Sequence, residues 1–276
     1  MPKPGSASND LMSSSSNNLM SHQPTDARPV YFISDLHLSA AIPSTVAAFR
    51  HFIEITANDA QAVYILGDLF EYWIGDDMLV TPFAKEISTQ LHTLTERGIQ
   101  LYIMPGNRDF LLGTHLAQAA GAKMLEDPSM IDAFGMRITL AHGDALCTAD
   151  RFYQGFRKIV RCRALQRFFL SWPLPWRLAL AARIRARSRA QKRPREQMLG
   201  DVTEAAVRQL FAQHGTTTLI HGHTHRPAQH QHGAATRWVL TDWDYDHGNP
   251  RGGYLKLDQS GLMAWPLDFS ALRHTR

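Results

Sequence analysis

A chain of 276 residues, 44% of them apolar, is long enough to bury one large core or two modest ones. No run of about 18 uncharged apolar residues occurs, so no transmembrane helix is expected, and two cysteines, Cys147 and Cys162, make neither a C-x-x-C motif nor a disulfide framework and fit a reducing cytoplasm. The formal net charge of +4 averages an acidic body with one basic segment, a pattern that points to an anionic partner docking at one place.

Residues 1–28 read as a disordered tail, rich in Ser, Asn and Pro and without the apolar stretch of a secretory signal. Strands and helices then alternate through residues 29–150. Val30–Ser34, Ala62–Leu66, Gln100–Met104 and Met136–Leu140 are the candidate strands, mostly apolar and read as buried. Helical patterns at about Ser44–Asn58 and Pro82–Arg97 lie between them, the second closed by Gly98.

Residues 151–200 differ in kind. Fourteen of the 29 Lys and Arg residues lie between Arg151 and Arg195, where there is no Asp or Glu. Phe152, Tyr153, Phe156, Ile159 and Val160 recur at helical spacing, and Leu165, Phe168, Phe169 and Trp172 continue the pattern. Pro173 and Pro175 interrupt it, and Trp176, Leu178, Leu180 and Ile184 begin a second helix before a break at Pro194. This predicts an inserted helical hairpin. Its basic face suits a solvated surface, a nucleic-acid track or an interfacial lid. The Leu and aromatic content, with Trp172 and Trp176 beside the prolines, favours the lid. The core resumes over 201–276 with a helix at Asp201–His214 and strands at Thr217–Ile220, Arg237–Thr241 and Gly253–Leu257. The whole predicts an α/β fold, mixed in part with α+β character, of two mixed sheets flanked by helices.

Seven polar residues follow these strands. They are Asp35 and His37 in Ser34-Asp35-Leu36-His37, Asp68 after Gly67, Asn107 in Gly106-Asn107-Arg108-Asp109, His142 in His142-Gly143-Asp144, and His223 and His225 in the segment His221 to Pro227. Strand-end placement gathers them at the carboxyl edge of a sheet. Asp, His and Asn without Cys suit borderline-hard divalent ions and not a thiolate zinc knuckle. Any one of them alone is an ordinary turn or surface residue; all seven in order predict a dinuclear metal hydrolase. His230, His232 and His247 are read as lying in a polar loop, His221 as supporting the ligands, and Asp109 and Asp144 as orienting neighbours.

The blocks D-x-H, G-D, G-N-R, H-G-D and G-H-x-H in this order resemble the calcineurin-like metallophosphoesterase superfamily. The longer strings Gly67-Asp68-Leu69-Phe70-Glu71 and Gly106 to Gly113 are similar to its branch of lipid A pathway diphosphatases that act on UDP-2,3-diacylglucosamine. The likeness runs from about Pro29 to about Pro266. It implies a four-layer sandwich in which Asp68 bridges two divalent ions, most suitably Mn2+. Asp35, His37 and His225 complete one site, and Asn107, His142 and His223 the other. Two ions about 3.5–4 Å apart can share a nucleophile and clamp phosphoryl oxygens. Arg108 stands where a His is common in the superfamily. It can hold phosphate oxygens but cannot donate a proton near neutral pH, which favours a leaving group that is itself a phosphate. The resemblance also implies substrate contacts at Asn107, Arg108, Asp150, Ser188, Lys192, Arg195 and His223, with Arg195 where Lys is common and Lys192 where Asn is common. The expected partners are a lipid-linked UDP-sugar and the anionic cytoplasmic face of the bacterial inner membrane, with no nucleic acid and no obligate protein. A nuclease or soluble nucleotide phosphodiesterase on the same fold is the alternative.

Overall fold

The computed structural model describes residues 19–21, 26–190 and 200–268, with the backbone alone at 19–21 and 185–190. In chain order the strands are β1 (Leu19–Ser21), β2 (Val30–Ile33), β3 (Ala62–Leu66), β4 (Gln100–Met104), β5 (Lys123–Met124), β6 (Ser129–Ala133), β7 (Met136–Ala141), β8 (Thr218–His221), β9 (Ala228–His232), β10 (Ala235–Val239), β11 (Gly253–Asp258) and β12 (Gly261–Pro266). The α-helices are α1 (Pro43–His51), α2 (Pro82–Glu96), α3 (Thr114–Ala120), α4 (Arg151–Val160), α5 (Arg163–Leu170), α6 (Leu174–Ala190) and α7 (Glu204–His214).

The strands form two six-stranded mixed sheets, ordered β1-β6-β7-β8-β10-β9 and β12-β11-β2-β3-β4-β5. Side chains alternate across a strand, and both faces of the second sheet are covered. Tyr31, Ile33, Val63, Ile65, Leu101 and Ile103 pack toward Phe49 of α1, Ile87 and Leu91 of α2 and Leu116 of α3. Phe32, Tyr64 and Tyr102 point the other way, toward Ile131, Ile138, Leu140 and Ile220 of the first sheet. Double burial is why these central strands carry so few polar residues. Leu219 and Ala141 on the outer face of the first sheet meet Val207, Leu210 and Phe211 of α7, completing helix, sheet, sheet and helix layers.

The sequence and the structure part in several places. Inside the expected tail, Leu19–Ser21 pairs in parallel with β6. The helix expected over Ser44–Asn58 is α1, which widens into a π-helical turn at Phe52–Thr56. His230 and His232 do not lie in a loop: they belong to β9, which pairs antiparallel with β10 at the sheet edge. A polar edge strand lacks the apolar alternation that marks strands in a sequence. The first helix of the basic segment is two. Between α4 and α5 the chain turns at Cys162 (φ −67°, ψ 116°), where Arg161 Nη2 donates to Gly106 O at 3.2 Å and Gln166 Nε2 to Val160 O at 3.0 Å. No Pro or Gly marks that turn; one tertiary bond to the Asn107 loop and one local bond across the turn accompany it.

Candidate metal centre

Strands β2, β3, β4, β7 and β8, drawn from both sheets, end at one place. Asp35 and His37 follow β2, Asp68 follows β3, Asn107 follows β4, His142 follows β7, and His223 and His225 follow β8. The loops continue the sheet ladders. Asp35 N–H donates to Gly67 O at 3.1 Å, His37 N–H to Asp68 O at 2.9 Å, and Gly222 N–H to His142 O at 2.9 Å. Turning side chains inward from such closely bonded loops demands unusual backbone. Asp35 (φ 54°), His37 (50°), Asp68 (54°), His223 (70°) and His225 (53°) are left-handed. Apart from Phe134, they are the non-glycine residues with positive φ among those described. Each costs about 1–2 kcal/mol, and such strain collects at functional sites.

The seven residues close a ring, the last link being a backbone N–H. His225 Nε2 lies 3.5 Å from Asp35 Oδ1 and 3.2 Å from His37 Nε2. His37 Nδ1 lies 3.8 Å from Asp68 Oδ2, and Asp68 Oδ1 lies 3.8 Å from His142 Nε2. His142 Nε2 and His223 Nδ1 both sit 2.9 Å from Asn107 Oδ1, and His223 N–H returns to Asp35 Oδ2 at 2.8 Å. Two groups within the ring, Asp35-His37-His225 and Asp35-Asp68-His142, bring their ligand atoms within 4.8 Å of one another.

The residues fit a divalent cation. Asp35 Oδ1 and His37 Nδ1 are buried without a hydrogen-bond partner, which costs free energy unless something electropositive satisfies them. The nitrogen and carboxylate set suits first-row divalent ions.

Burial and pairing set opposed charges here. Burial pushes Asp35 up, but the nearby His225 imidazole and the charges of His142 and His37 outweigh it and hold the carboxyl well below the usual range. Asp68 is pushed up to about 7, by burial and by Asp109 and Asp35, against His142 and Arg108. Burial drives His37 well below its ordinary value, with Arg108 adding to the fall, and takes His223 to about 4 with the help of His142. In His142 and His225 burial loses. Asp68, Asp35 and Asp144 raise His142 to about 9, and Asp242 and Asp35 raise His225 to about 9.

Around the ring, other side chains hold it in place. The buried Asp109 accepts from Gly106 N–H at 2.7 Å, Phe70 N–H at 3.2 Å and Asp68 N–H at 3.3 Å, joining the loops after β3 and β4. Asp144 accepts from Tyr153 Oη and Arg157 Nε, both at 2.8 Å, which draws α4 against the His142 loop. His221 stays outside the ring: its Nδ1 faces Gly222 O at 2.8 Å and its Nε2 faces Arg237 Nη1 at 3.1 Å. Burial lowers it to about 3.

The expected substrate contacts are placed unevenly. Arg108 pairs with Glu71 through Nη1 and stands 3.6 Å from Asp68 through Nε, beside Asn107 at the ring. Asp150 caps α4, accepting from Tyr153 N–H at 2.9 Å. The Tyr153 ring lies alongside His223 at 6.2 Å. Ser188 belongs to α6, where the backbone alone is described, and Lys192 and Arg195 lie outside the described residues. Sequence reasoning missed Glu71, Asp127, which accepts from His142 N–H at 3.1 Å, Asp242, which faces His225 Nδ1, and Arg251, which pairs with Asp242. Glu71 was within reach, since it ends the string Gly67 to Glu71; the others carry no local signal.

This fold with this cluster at its strand ends defines a metal-dependent phosphoesterase. The calcineurin-like phosphoesterase family model matches residues 28–227. A UDP-2,3-diacylglucosamine hydrolase of Ralstonia nicotianae is 48% identical over 248 residues, which cover 87% of this chain and 92% of that protein. Proteins of the same name from Chromobacterium violaceum and Stutzerimonas stutzeri are 47% and 43% identical, over 86% and 87% of this chain and 98% and 100% of theirs. The chain therefore belongs to the UDP-2,3-diacylglucosamine hydrolase family of calcineurin-like phosphoesterases.

Proposed function

We propose that the protein hydrolyses the diphosphate of UDP-2,3-diacylglucosamine by attack of water on the α-phosphorus. The products are UMP and 2,3-diacylglucosamine 1-phosphate, and the step belongs to lipid A synthesis. The closed ring from Asp35 to His223 carries the reading, with the substrate drawn from the names of the relatives. Asp35, His37 and His225 would hold one divalent ion, and Asn107, His142 and His223 the other. Asp68 would serve both, one oxygen facing His37 and the other His142. Mn2+ suits this mixed donor set. When bound, the cations lower the pKa of water and neutralise charge developing on the phosphoryl oxygens.

The chain's own residues do the rest. Arg108, steadied by Glu71, binds a phosphoryl oxygen and needs no proton to donate, because the departing group is a phosphate monoester. Removing that donor (Arg108→Ala) is expected to lower kcat about 10²–10³-fold. Arg108→Lys should recover part of it, since it returns the charge without the fork; steady-state UMP release measures both. Asp150, Ser188, Lys192 and Arg195 fix the head group.

The helices over Arg151–Ala190 form a lid for the acyl chains and rest on the inner leaflet. Phe152 is 89% exposed, Trp176 67% and Phe168 61%, beside Arg163 and Arg167, while Phe169, Leu174 and Leu178 pack on the core. A basic surface studded with exposed aromatic residues suits an anionic membrane interface better than a polynucleotide. No helix among the described residues is long and apolar enough to cross a membrane, which suits peripheral attachment.

Metal uptake is expected to depend on pH. A cation must displace the protons that neighbouring carboxylates hold on His142 and His225, both near 9. Apparent Mn2+ affinity should therefore climb from pH 6 toward pH 9 and level off above it, with proton release seen by calorimetry in buffers of different ionisation enthalpy. The substrate reading is tested by incubating the protein with Mn2+ and UDP-2,3-diacylglucosamine in detergent, beside single-stranded DNA and a dinucleoside polyphosphate. UMP release from the lipid alone is expected; turnover of DNA or the soluble nucleotide alone overturns it.

A further inference from the structure

His225 meets the ring with one nitrogen and a separate pair of side chains with the other. While Nε2 faces Asp35 and His37, Nδ1 lies 3.3 Å from Asp242 Oδ2. Asp242 is buried and held by Arg251, whose Nε reaches Oδ1 at 3.0 Å and Oδ2 at 2.9 Å and whose Nη2 reaches Oδ2 at 2.6 Å. An ionised carboxylate accepts hydrogen bonds and cannot donate them, so the neutral imidazole must carry its proton on Nδ1. Its Nε2 lone pair then points into the ring.

The backbone is arranged to hold this pair in place. Trp243 N–H donates to Asp35 O at 3.1 Å, tying the loop after β10 to the loop after β2. Asp244 and Arg251 exchange N–H···O bonds at 2.8 and 2.9 Å, an isolated antiparallel bridge that places Arg251 opposite Asp244, two residues from Asp242.

We propose that Asp242 and Arg251 are positioning residues for the His225 imidazole. Arg251 fixes the Asp242 carboxylate, and Asp242 fixes the tautomer and ring orientation with which His225 meets a metal ion. The proposal rests on the metal-centre reading above. Oriented in this way, the imidazole loses no affinity to ring rotation or to the wrong tautomer, and its basicity rises. The competing account is an ion pair kept for stability alone. The Arg251 side chain is 47% exposed on the wall of a groove of about 660 Å³ shared with Tyr254 and Trp265, so solvent screens its side of the pair and reduces what the pair adds to stability.

Mn2+ titration calorimetry on the full chain separates the two. Asp242→Ala is expected to weaken Mn2+ binding about 10–100-fold. It should also lower kcat with KM for the lipid within about twofold, and excess Mn2+ should restore turnover. Asp242→Asn, which keeps the shape and loses the charge, should weaken Mn2+ in the same direction. Arg251→Ala opens the groove wall, so millimolar guanidinium should restore its Mn2+ affinity. In a His225→Ala background, Asp242→Ala should cause no further loss of Mn2+ affinity. Parent-like isotherms for both Asp242 variants, or additive losses in the His225→Ala background, overturn the proposal. A parent protein that binds Mn2+ but leaves the lipid uncleaved refutes the substrate reading alone.

Discussion

Replacing Asp68 with Asn is expected to abolish hydrolysis, by about 10³-fold or more, and at the same time to stabilise the metal-free protein. The two effects have one cause. Asp68 is buried among Asp35 and Asp109, and burial with those charges raises its carboxyl to about 7. An unfolded aspartate titrates near 3.9. The metal-free fold therefore binds this proton more tightly than the unfolded chain does, and carrying the carboxylate costs stability as pH rises above 3.9. That cost grows until about pH 7 and then holds. Asn removes it and still accepts the Arg108 N–H bond, now 2.8 Å from Asp68 Oδ1. What Asn cannot supply is the charge shared between two cations. Thermal melts in a chelator should show the variant melting a few degrees above the parent at pH 7.5, with the gap closing toward pH 4. Mn2+ should reverse the order by stabilising the parent more. A variant that hydrolyses the lipid at the parent rate would remove Asp68 from the mechanism, and one that melts lower in chelator would remove the charge argument.

A methyl group at Gly67 should be nearly as damaging, through the backbone. Gly67 has φ +92°, a region L-residues rarely adopt, so Ala there is strained before any contact is counted. Its Cβ would also lie 2.7 Å from His142 Cγ and 2.9 Å from Gly106 Cα. Neither neighbour can yield. The His142 ring is fully buried and its Nδ1 is bonded to Leu66 O at 3.0 Å, while Gly106 is backbone in the Asn107 loop. Gly67→Ala should cost more than about 3 kcal/mol of stability, through overpacking and strain together. It should also part His142 from Asn107, so Mn2+ binding falls even where the chain still folds. Gly98→Ala, with φ +78° but open space around its Cβ, is the control: it keeps the strain and lacks the clash. Denaturant melts and Mn2+ titration on the pair separate the two contributions.

The strands that carry the ring were legible because burial leaves a simple mark. Ala62–Leu66 and Gln100–Met104 were read to the residue, and Val30 and Gly253 were found as strand starts. The ring members were legible for a related reason, since each follows such a run within a few residues. β9 and β5 were not, one polar and at an edge, the other two residues long. Nor was the turn at Cys162, which bonds from Arg161 and Gln166 accompany and no breaker residue marks.

Local pattern by itself determined the layered α/β fold, the strand ends and the seven side chains gathered there, because apolar periodicity and residue order are properties of neighbours along the chain. Tertiary structure alone decided which carboxylates surround the ring and what they do to it. Asp242 reaches His225, Asp109 ties the loop of Asp68 to that of Asn107, and Arg157 joins Asp144 to Asp127. Only the packing of separate loops sets which buried charges meet. Charge pairing depends on distance in space and on the loss of water around it, and neither is written in residue spacing.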